Sequence, residues 1–315
     1  MKLFISFLLS AMLMLSCSGS NNRNNPDLEK LYDLLDNEIA QSKKYEEEKN
    51  RRIADLRKQY DLSMDANKRT RTVNRLITEF DAYNADSALY YVNFNLRRPA
   101  VKQIAGEYTR LMIKRADVLA HAGLFADALA TLKEISRDSL NEDLLEDYYS
   151  TYCATYQYLS EYTDAHETST DYVLLRTLYT DSLTKVVKPG TFNYMTYSMA
   201  ECARNGESDK AIASLSSSLS DYRPGQREYS ILASTLAYIY KLAGNMTDYK
   251  RFLILSAISD VKGAVKENMS FREAATVMFE EGDIERANRY LKKSIADANF
   301  SRPCCATLSR ARCCR

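Results

Sequence analysis

Apolar residues recur every three or four positions along most of the chain, which is the spacing of one face of an α-helix. The first such stretch begins at Asn25-Pro26, a pair typical of a helix start, and it carries Leu28, Leu31, Leu35, Ile39, Ile53, Leu56 and Tyr60. Polar residues at Ser42, Glu46 and Lys49 break the heptad, which disfavours a coiled coil. The pattern predicts one long helical segment over residues 27–61 that packs partly on its own domain.

A second pattern recurs about every forty residues from Asp81 to Ile295. Each unit contains a turn, then a small residue on the second helix, then a larger apolar residue one helical turn later. The turns align on Tyr83, Gly123, Ser160, Gly206, Gly244 and Gly282. The small-residue position holds Ala88, Ala128, Ala165, Ala211, Tyr249 and Ala287. The apolar position holds Val92, Leu132, Ser169, Leu215, Leu253 and Leu291.

This arrangement resembles the tetratricopeptide repeat, a pair of antiparallel helices in which the small residue lets the second helix approach the first. The resemblance implies an all-α fold: a tetratricopeptide-like helical-hairpin solenoid of about six helix pairs over residues 62–298, preceded by the long helical segment. Two features depart from the repeat. Residues 187–190 indicate an extra loop, and Tyr249 replaces the small residue, so we expect that helix pair to splay or repack.

The chain begins like an exported protein. Met1-Lys2 precedes an apolar run from Leu3 to Leu15, which is typical of a secretory signal and too short to span a membrane comfortably. The sequence Met14-Leu15-Ser16-Cys17 resembles a bacterial lipobox, which implies cleavage before Cys17 and lipid attachment to its thiol. We therefore predict a signal peptide over residues 1–17, a flexible tether over 18–26, and a membrane-anchored protein on the periplasmic side of the cell envelope. The alternative is an ordinary cleaved signal peptide with an incidental cysteine.

Two blocks narrow the resemblance to one family. The stretch from Leu35 to Leu56, which contains KYEEEK and RIADL, and the block EFDAYNADSA over residues 79–88 are similar to a family of exported bacterial regulators. Its members carry a periplasmic tetratricopeptide sensor, a membrane helix and a cytoplasmic DNA-binding helix-turn-helix. The resemblance covers residues 27 to about 300 and implies a sensor that binds a protein or peptide.

The pattern changes at the C-terminal end of the sequence. Residues 299–315 lose the apolar periodicity and contain Cys304, Cys305, Cys313 and Cys314. We predict an unstructured, atypical tail from a truncated or frame-shifted product, in which the family's membrane helix and DNA-binding domain are missing. On this interpretation the chain keeps the sensing half of such a regulator and binds no nucleic acid.

Composition agrees with helices and gives no sign of a nucleic-acid surface. The chain has 9 Gly and 5 Pro, few enough to favour long helices joined by short turns over sheets. Its 43 basic and 42 acidic residues give a net charge of +1. Interspersed charges of this kind are typical of solvated helix faces, whereas nucleic-acid binding requires a basic patch or stripe.

No residue pattern points to catalysis. The two histidines, His121 and His166, belong to no recognisable nucleophile or metal motif. Adjacent cysteines are poor zinc ligands because their side chains diverge, so we predict no metal. Cys153 and Cys202 read as small buried residues, or as a disulfide if their Cα atoms approach closely. We predict neither enzymatic activity nor a cofactor.

The candidate binding residues are Tyr149, Tyr152 and Tyr156, which share one helical face and would line the concave groove of a repeat array. Packing between helices is the alternative for these rings. The sequence thus predicts a protein- or peptide-binding sensor module. Its main alternative is a structural envelope lipoprotein that scaffolds an assembly, and a small-molecule or glycan ligand has only the tyrosine patch in its favour.

Overall fold

A computed structural model describes residues 25–163, 169–267 and 269–301, and helices are the only regular secondary structure in these ranges. Two N-terminal helices, α1 (Pro26–Ala40) and α2 (Ser42–Leu62), precede the array. Six consecutive helix pairs follow: α3 (Ala66–Phe80) and α4 (Ala85–Leu96), α6 (Glu107–His121) and α7 (Phe125–Lys133), α8 (Glu142–Tyr162) and α9 (Ser169–Thr184), α10 (Met199–Arg204) and α11 (Ser208–Leu219), α12 (Arg227–Leu242) and α13 (Met246–Lys262), and α14 (Met269–Glu280) and α15 (Ile284–Ser301). The predicted all-α helical-hairpin solenoid is confirmed.

Short elements join or extend these pairs. Helix α5 (Pro99–Gln103) and a 3₁₀ turn (Arg137–Ser139) lie between pairs, and a π-helical turn (Tyr194–Ser198) leads directly into α10. The loop predicted at residues 187–190 separates α9 from that turn. None of the described helices has the length and apolar character needed to cross a membrane.

Asparagine side chains begin several of the helices. The Asn25 Oδ1 atom accepts from the Asp27 backbone N–H at 3.1 Å, and Asn84, Asn141 and Asn245 accept in the same way at the starts of α4, α8 and α13. Each cap satisfies an N–H that the helix itself leaves without a partner. The repeated Asn therefore fixes where the chain turns back to start a new helix.

The N-terminal segment is two helices rather than the single long helix predicted over residues 27–61. The helix is interrupted at Gln41, whose single backbone N–H donates to the carbonyls of Asn37, Glu38 and Ile39 instead of to one partner. The two halves face different cores: Leu35 of α1 packs with residues of α13 to α15, whereas Ile53 of α2 packs with residues of α3 and α4. A straight helix cannot reach both cores, and the bend at Gln41 lets it do so.

The repeat turns largely follow the predicted register. Gly123, Gly206, Gly244 and Gly282 all have positive φ, a conformation that costs glycine little and terminates a helix cleanly. The small residues behind them are buried where the two helices approach, with Ala88, Ala128 and Ala211 fully buried and Ala287 nearly so.

Two of the six predicted turns are corrected. In the first pair the left-handed residue is Ala82 (φ 52), not Tyr83, which is buried one position later. In the third pair Ser160 is not a turn, because α8 continues to Tyr162. The partner position Ala165 lies outside the described residues.

The fifth pair accommodates Tyr249 by repacking, as expected. The ring is buried at the small-residue position, in the core that α1 completes, and the Lys241 ammonium lies 5.0 Å from its centroid. At the next position Val92, Leu132, Leu215 and Leu253 are buried, but Leu291 is 46% exposed. No described helix packs on that face of α15.

The array curls until its first and last pairs meet. The Lys266 backbone N–H, in the α13–α14 loop, donates to the Ala82 carbonyl at 2.7 Å. The Asn84 amide donates to the Phe300 carbonyl at 3.2 Å, and the Tyr83 and Phe300 ring centroids are 5.1 Å apart. Helix α15 extends to Ser301, beyond the predicted end of the array at 298, and residues 302–315 with their four cysteines lie outside the described part.

Candidate functional site

The first helices of three successive pairs, together with Asn193 ahead of the fourth, line a pocket of about 340 Å³ on the inner face of the curl. Helices α3, α6 and α8 each contribute one side, and the segment before the π-helical turn closes the end. The lining residues are Asn74, Ile77, Thr78, Glu107, Arg110, Leu111, Ile113, Lys114, Asp117, Asp147, Ser150, Thr151 and Asn193. We call this set the concave pocket.

Charged and amide groups line much of the concave pocket. Arg110 Nη1 lies 3.3 Å from Asp147 Oδ2, and both side chains are about half exposed, at 50% and 42%. The Asn74 amide donates to Glu107 at 2.5 Å. Burial raises the pKa of Asp147, and Arg110 opposes that rise. The pocket therefore offers an accessible cation beside an accessible carboxylate, next to apolar atoms of α3 and α6.

A half-buried charge cluster continues from the inner wall of the pocket. Lys114 Nζ lies 2.6 Å from Asp81 Oδ2 and 2.8 Å from Asp117 Oδ2. Asp117 Oδ1 lies 3.2 Å from His121 Nδ1, and His121 Nε2 lies 3.5 Å from Glu267 Oε1. The α13–α14 loop thus reaches across the curl to the wall of the concave pocket.

The Glu267 carboxylate is the far end of this cluster. It accepts from the Tyr158 hydroxyl at 2.9 Å and from Arg227 Nη2 at 3.1 Å. Arg227 also faces Asp260, whose pKa burial raises to about 6 against the opposing charge of Arg227. One loop carboxylate therefore joins α6, α8 and α12.

His121 carries a positive charge at neutral pH. Burial alone would lower its pKa, but the charges of Glu267 and Asp117 and the hydrogen bond to Asp117 outweigh burial and raise the pKa to about 10. Burial likewise opposes the charged form of Lys114, yet Asp117 and Asp81 hold its pKa above the ordinary value. These groups are arranged to satisfy one another, which is the pattern of a structural ion cluster rather than of a poised acid or base.

The charge on His121 makes a prediction about pH. Its unfolded pKa is about 6.5 and its folded pKa is about 10, so the folded state holds the proton more tightly. The stabilisation is complete below the unfolded pKa and is lost as pH rises through the folded value. We expect the wild-type chain to lose about 2 kcal/mol of stability, relative to His121→Gln, across that window.

Chemical denaturation of both proteins at several pH values measures this difference, because other titrating groups cancel between them. Parallel stability curves for the two proteins would contradict the assigned charge.

The predicted tyrosine groove is corrected. Tyr149, Tyr152 and Tyr156 are buried, at 5%, 3% and 8% exposure, and pack against α9. The rings of Tyr152 and Tyr179 stack at a centroid distance of 4.1 Å. These three rings are therefore interhelical core, and the residues of α8 that line the concave pocket are Asp147, Ser150 and Thr151 on the opposite face.

The described cysteines carry no reactive site. Cys153 is buried and Cys202 half-buried, and both are free thiols rather than a disulfide. Burial raises the pKa of the Cys153 thiol to about 11, which keeps it protonated and unreactive. Among the described residues no group of three or more His, Cys, Asp or Glu side chains is placed to hold a metal ion. Cys17 and His166 lie outside those residues.

The sequence contained a weak signal for the true pocket. Polar residues at Asn74, Arg110, Asp147 and Asn193 recur at intervals close to the repeat period. A polar position that recurs on successive first helices marks the solvated inner face of a solenoid. The tyrosines of α8 are the more prominent pattern in the sequence, and they predict the wrong face of that helix as the binding surface.

The six stacked helix pairs of the described residues, three of which contribute their first helices to a concave pocket, define a tetratricopeptide-type helical repeat, a class of protein-interaction module. A family model described as the SusR N-terminal TPR domain matches residues 39–303. The chain belongs to this family, and the resemblance to a repeat-bearing regulator sensor is confirmed at that level. No curated protein matches the chain.

Proposed function

We propose that the chain is the sensing module of a membrane-attached regulator on the periplasmic side of the envelope, and that it binds a peptide segment in the concave pocket. In this proposal the chain binds without catalysing a reaction. The observation that carries the proposal is the accessible Arg110–Asp147 pair in a pocket lined by the first helices of three successive pairs.

The chemistry of the pocket suits an extended peptide. A peptide presents carbonyl acceptors and N–H donors along its whole length, and Arg110, Asp147 and Asn193 supply complementary groups along the curl. Repeat arrays gain binding surface by adding such units side by side.

A peptide selection tests the pocket directly. A phage-displayed peptide library is selected on the purified chain, and the affinity of the recovered peptides is measured by calorimetry. We expect Arg110→Ala with Asp147→Ala to weaken binding by about tenfold or more, because two charge-assisted hydrogen bonds are lost. The matched control removes Lys210 and Glu207, a similarly exposed pair 2.9 Å apart that lies outside the pocket, and should leave affinity unchanged. Equal affinities for all three proteins would refute the site.

The regulator role predicts a genetic context. We expect a reading frame that continues the same gene product, or an adjacent one, to encode a membrane helix and a DNA-binding module. Stoichiometric envelope proteins that co-purify with the chain from membranes, and that stay bound when the pocket pair is removed, would instead favour the scaffolding lipoprotein.

Membrane attachment through Cys17 is the second testable part of the proposal. Replacing Cys17 with alanine removes the thiol that the lipobox resemblance assigns to the lipid. We expect the Cys17→Ala chain to lose palmitate labelling, because the thiol that would carry the lipid is absent. An unlabelled wild-type chain would show that the cysteine is incidental.

A further inference from the structure

The end of α2 and the α2–α3 loop together expose two large apolar side chains to solvent. Leu62 is 74% exposed and Met64 is 92% exposed. Among the large hydrophobic residues in the described part of the chain, Tyr162 is the only other one exposed by more than 70%. Ser63 between them is buried, and its backbone N–H donates to the Tyr60 carbonyl at 3.3 Å. The loop therefore points both apolar side chains outward from a fixed base.

Basic residues lie on the helices that flank this loop and in the neighbouring segment 97–102. Residues 58–71 and 97–102 contain seven basic and two acidic residues, and we call this region the basic tip. Its basic residues are Lys58, Lys68, Arg69, Arg71, Arg97, Arg98 and Lys102. Arg98 Nη1 donates to Thr70 Oγ1 at 3.1 Å and its Nη2 to the Ala66 carbonyl at 3.3 Å, so the two stretches lie side by side.

The charge of the basic tip is uncompensated. Within the described part of the chain, none of its seven basic side chains forms a salt bridge, whereas Lys114, Arg286 and Lys266 elsewhere are all paired. One of the two acids is engaged locally, because the Asp65 carboxylate caps α3 by accepting from the Lys68 backbone N–H at 2.5 Å. A strong positive field thus surrounds two protruding apolar groups.

We propose that the basic tip docks on the surface of an anionic lipid bilayer, with Leu62 and Met64 inserted among the headgroups and the basic side chains on the lipid phosphates. Apolar side chains that enter the interface and cations that meet anionic lipids strengthen surface binding together. The long Lys and Arg stems also allow the charges to stay at phosphate level while apolar atoms go deeper.

A bilayer fits the shape of the basic tip better than an acidic protein does. The apolar contribution consists of two exposed side chains, and their neighbours in the chain, Asp61, Ser63 and Asp65, are polar or charged. A protein partner of standard size needs a well-packed apolar patch of several hundred square ångströms, while a fluid headgroup layer can close around two isolated side chains. The proposal is independent of any ligand in the concave pocket.

The absence of tryptophan from the chain makes a direct test possible. Met64→Trp places a single indole at the basic tip of the full chain. We expect its emission to shift to the blue with vesicles of phosphatidylcholine mixed with phosphatidylglycerol, and to be quenched by brominated lipid. Neither change should occur with phosphatidylcholine alone. The matched control is Phe279→Trp, which replaces an apolar residue of α14 that is 67% exposed and lies outside the basic tip, and its emission should not change.

Charge reversal separates lipid binding from nonspecific insertion. Adding Lys68→Glu, Arg71→Glu and Lys102→Glu to the Met64→Trp chain should weaken vesicle binding by about tenfold or more; all three side chains are exposed, and circular dichroism checks that the helices remain. The proposal is overturned if Met64→Trp shows no shift with anionic vesicles, or if Phe279→Trp shifts equally. A shift with soluble polyglutamate but not with vesicles would assign the basic tip to an acidic protein and overturn the lipid proposal.

Discussion

Replacing Lys266 with methionine is expected to destabilise the chain by about 3 kcal/mol, since it removes one partner of a buried ion pair. Lys266 is 5% exposed, and its Nζ lies 2.9 Å from Asp297, which is 3% exposed. It also bonds Glu46 of α2. Burial opposes the charge on Lys266, but Glu46 and Asp297 together hold its pKa above the ordinary value.

The expected loss of stability reflects the closure of the array, because Lys266 contacts elements at both of its ends. Lys266 joins α2 to α15 through its side chain and to the α3–α4 turn through its backbone N–H. The methionine leaves Glu46 without this cation, while Asp297 keeps Lys293 at 2.7 Å. The first and last pairs should therefore separate before the individual pairs unfold, and amide exchange should rise first at the backbone N–H groups of residues 266 and 267, which donate to the Ala82 carbonyl.

Urea denaturation of the variant and of a matched control measures the effect. Lys210→Met removes a lysine from an exposed pair and should change stability by less than about 0.5 kcal/mol. Adding Glu46→Gln to Lys266→Met should recover part of the loss, because the carboxylate that has lost its Lys266 partner is then replaced by a neutral amide. Equal stability of the two single variants would show that Lys266 does not hold the curl closed.

Features that repeat along the chain could be predicted from the sequence. The small residues Ala88, Ala128 and Ala211 and the apolar residues Val92 and Leu132 were placed in the core by register alone, and all five are fully buried. Each of these positions is defined by a helix and its immediate neighbour, so its signal is local and recurs. The alignment predicted the wrong turn residue in the first pair, where Ala82 rather than Tyr83 adopts the left-handed conformation.

The direction in which a helical face points could not be predicted. Spacing correctly placed Tyr149, Tyr152 and Tyr156 on one face of α8. Spacing alone does not show whether a neighbouring helix covers that face or whether it lines the groove. Helix α9 supplies Tyr172 and Tyr179 and covers that face. The concave pocket then falls to the opposite face, with Asp147 and Thr151.

Closure of the array was also invisible in the sequence. Lys266 and Glu46 are separated by 220 residues, and a single long-range pair leaves no periodicity to detect. The bend at Gln41 follows from the same closure, because α1 packs on the last helix pairs and α2 packs on the first pair. The charged residues concerned looked like ordinary solvated positions, which most such residues are.

Leu132→Ala is expected to cost about 3 kcal/mol, the range for truncating a large aliphatic side chain in a tightly packed core. Leu132 is fully buried on α7 in a cluster with Ile113, Leu144 and Tyr148. These residues belong to two successive pairs, so the truncation opens a cavity at the interface between neighbouring repeats. Such interfaces supply much of the stability of a repeat array. The measurement is the denaturation midpoint at unchanged slope.

The chain provides its own control, because Leu291 occupies the equivalent repeat position on α15 but is 46% exposed. Leu291→Ala deletes the same atoms from the same kind of helix, and we expect a loss below about 1 kcal/mol since little buried contact is removed. The difference between the two variants isolates the coupling between neighbouring pairs from the helix propensity of alanine. If Leu291→Ala costs as much as Leu132→Ala, then another surface covers α15 in solution, and the last described pair is an internal unit of a longer array.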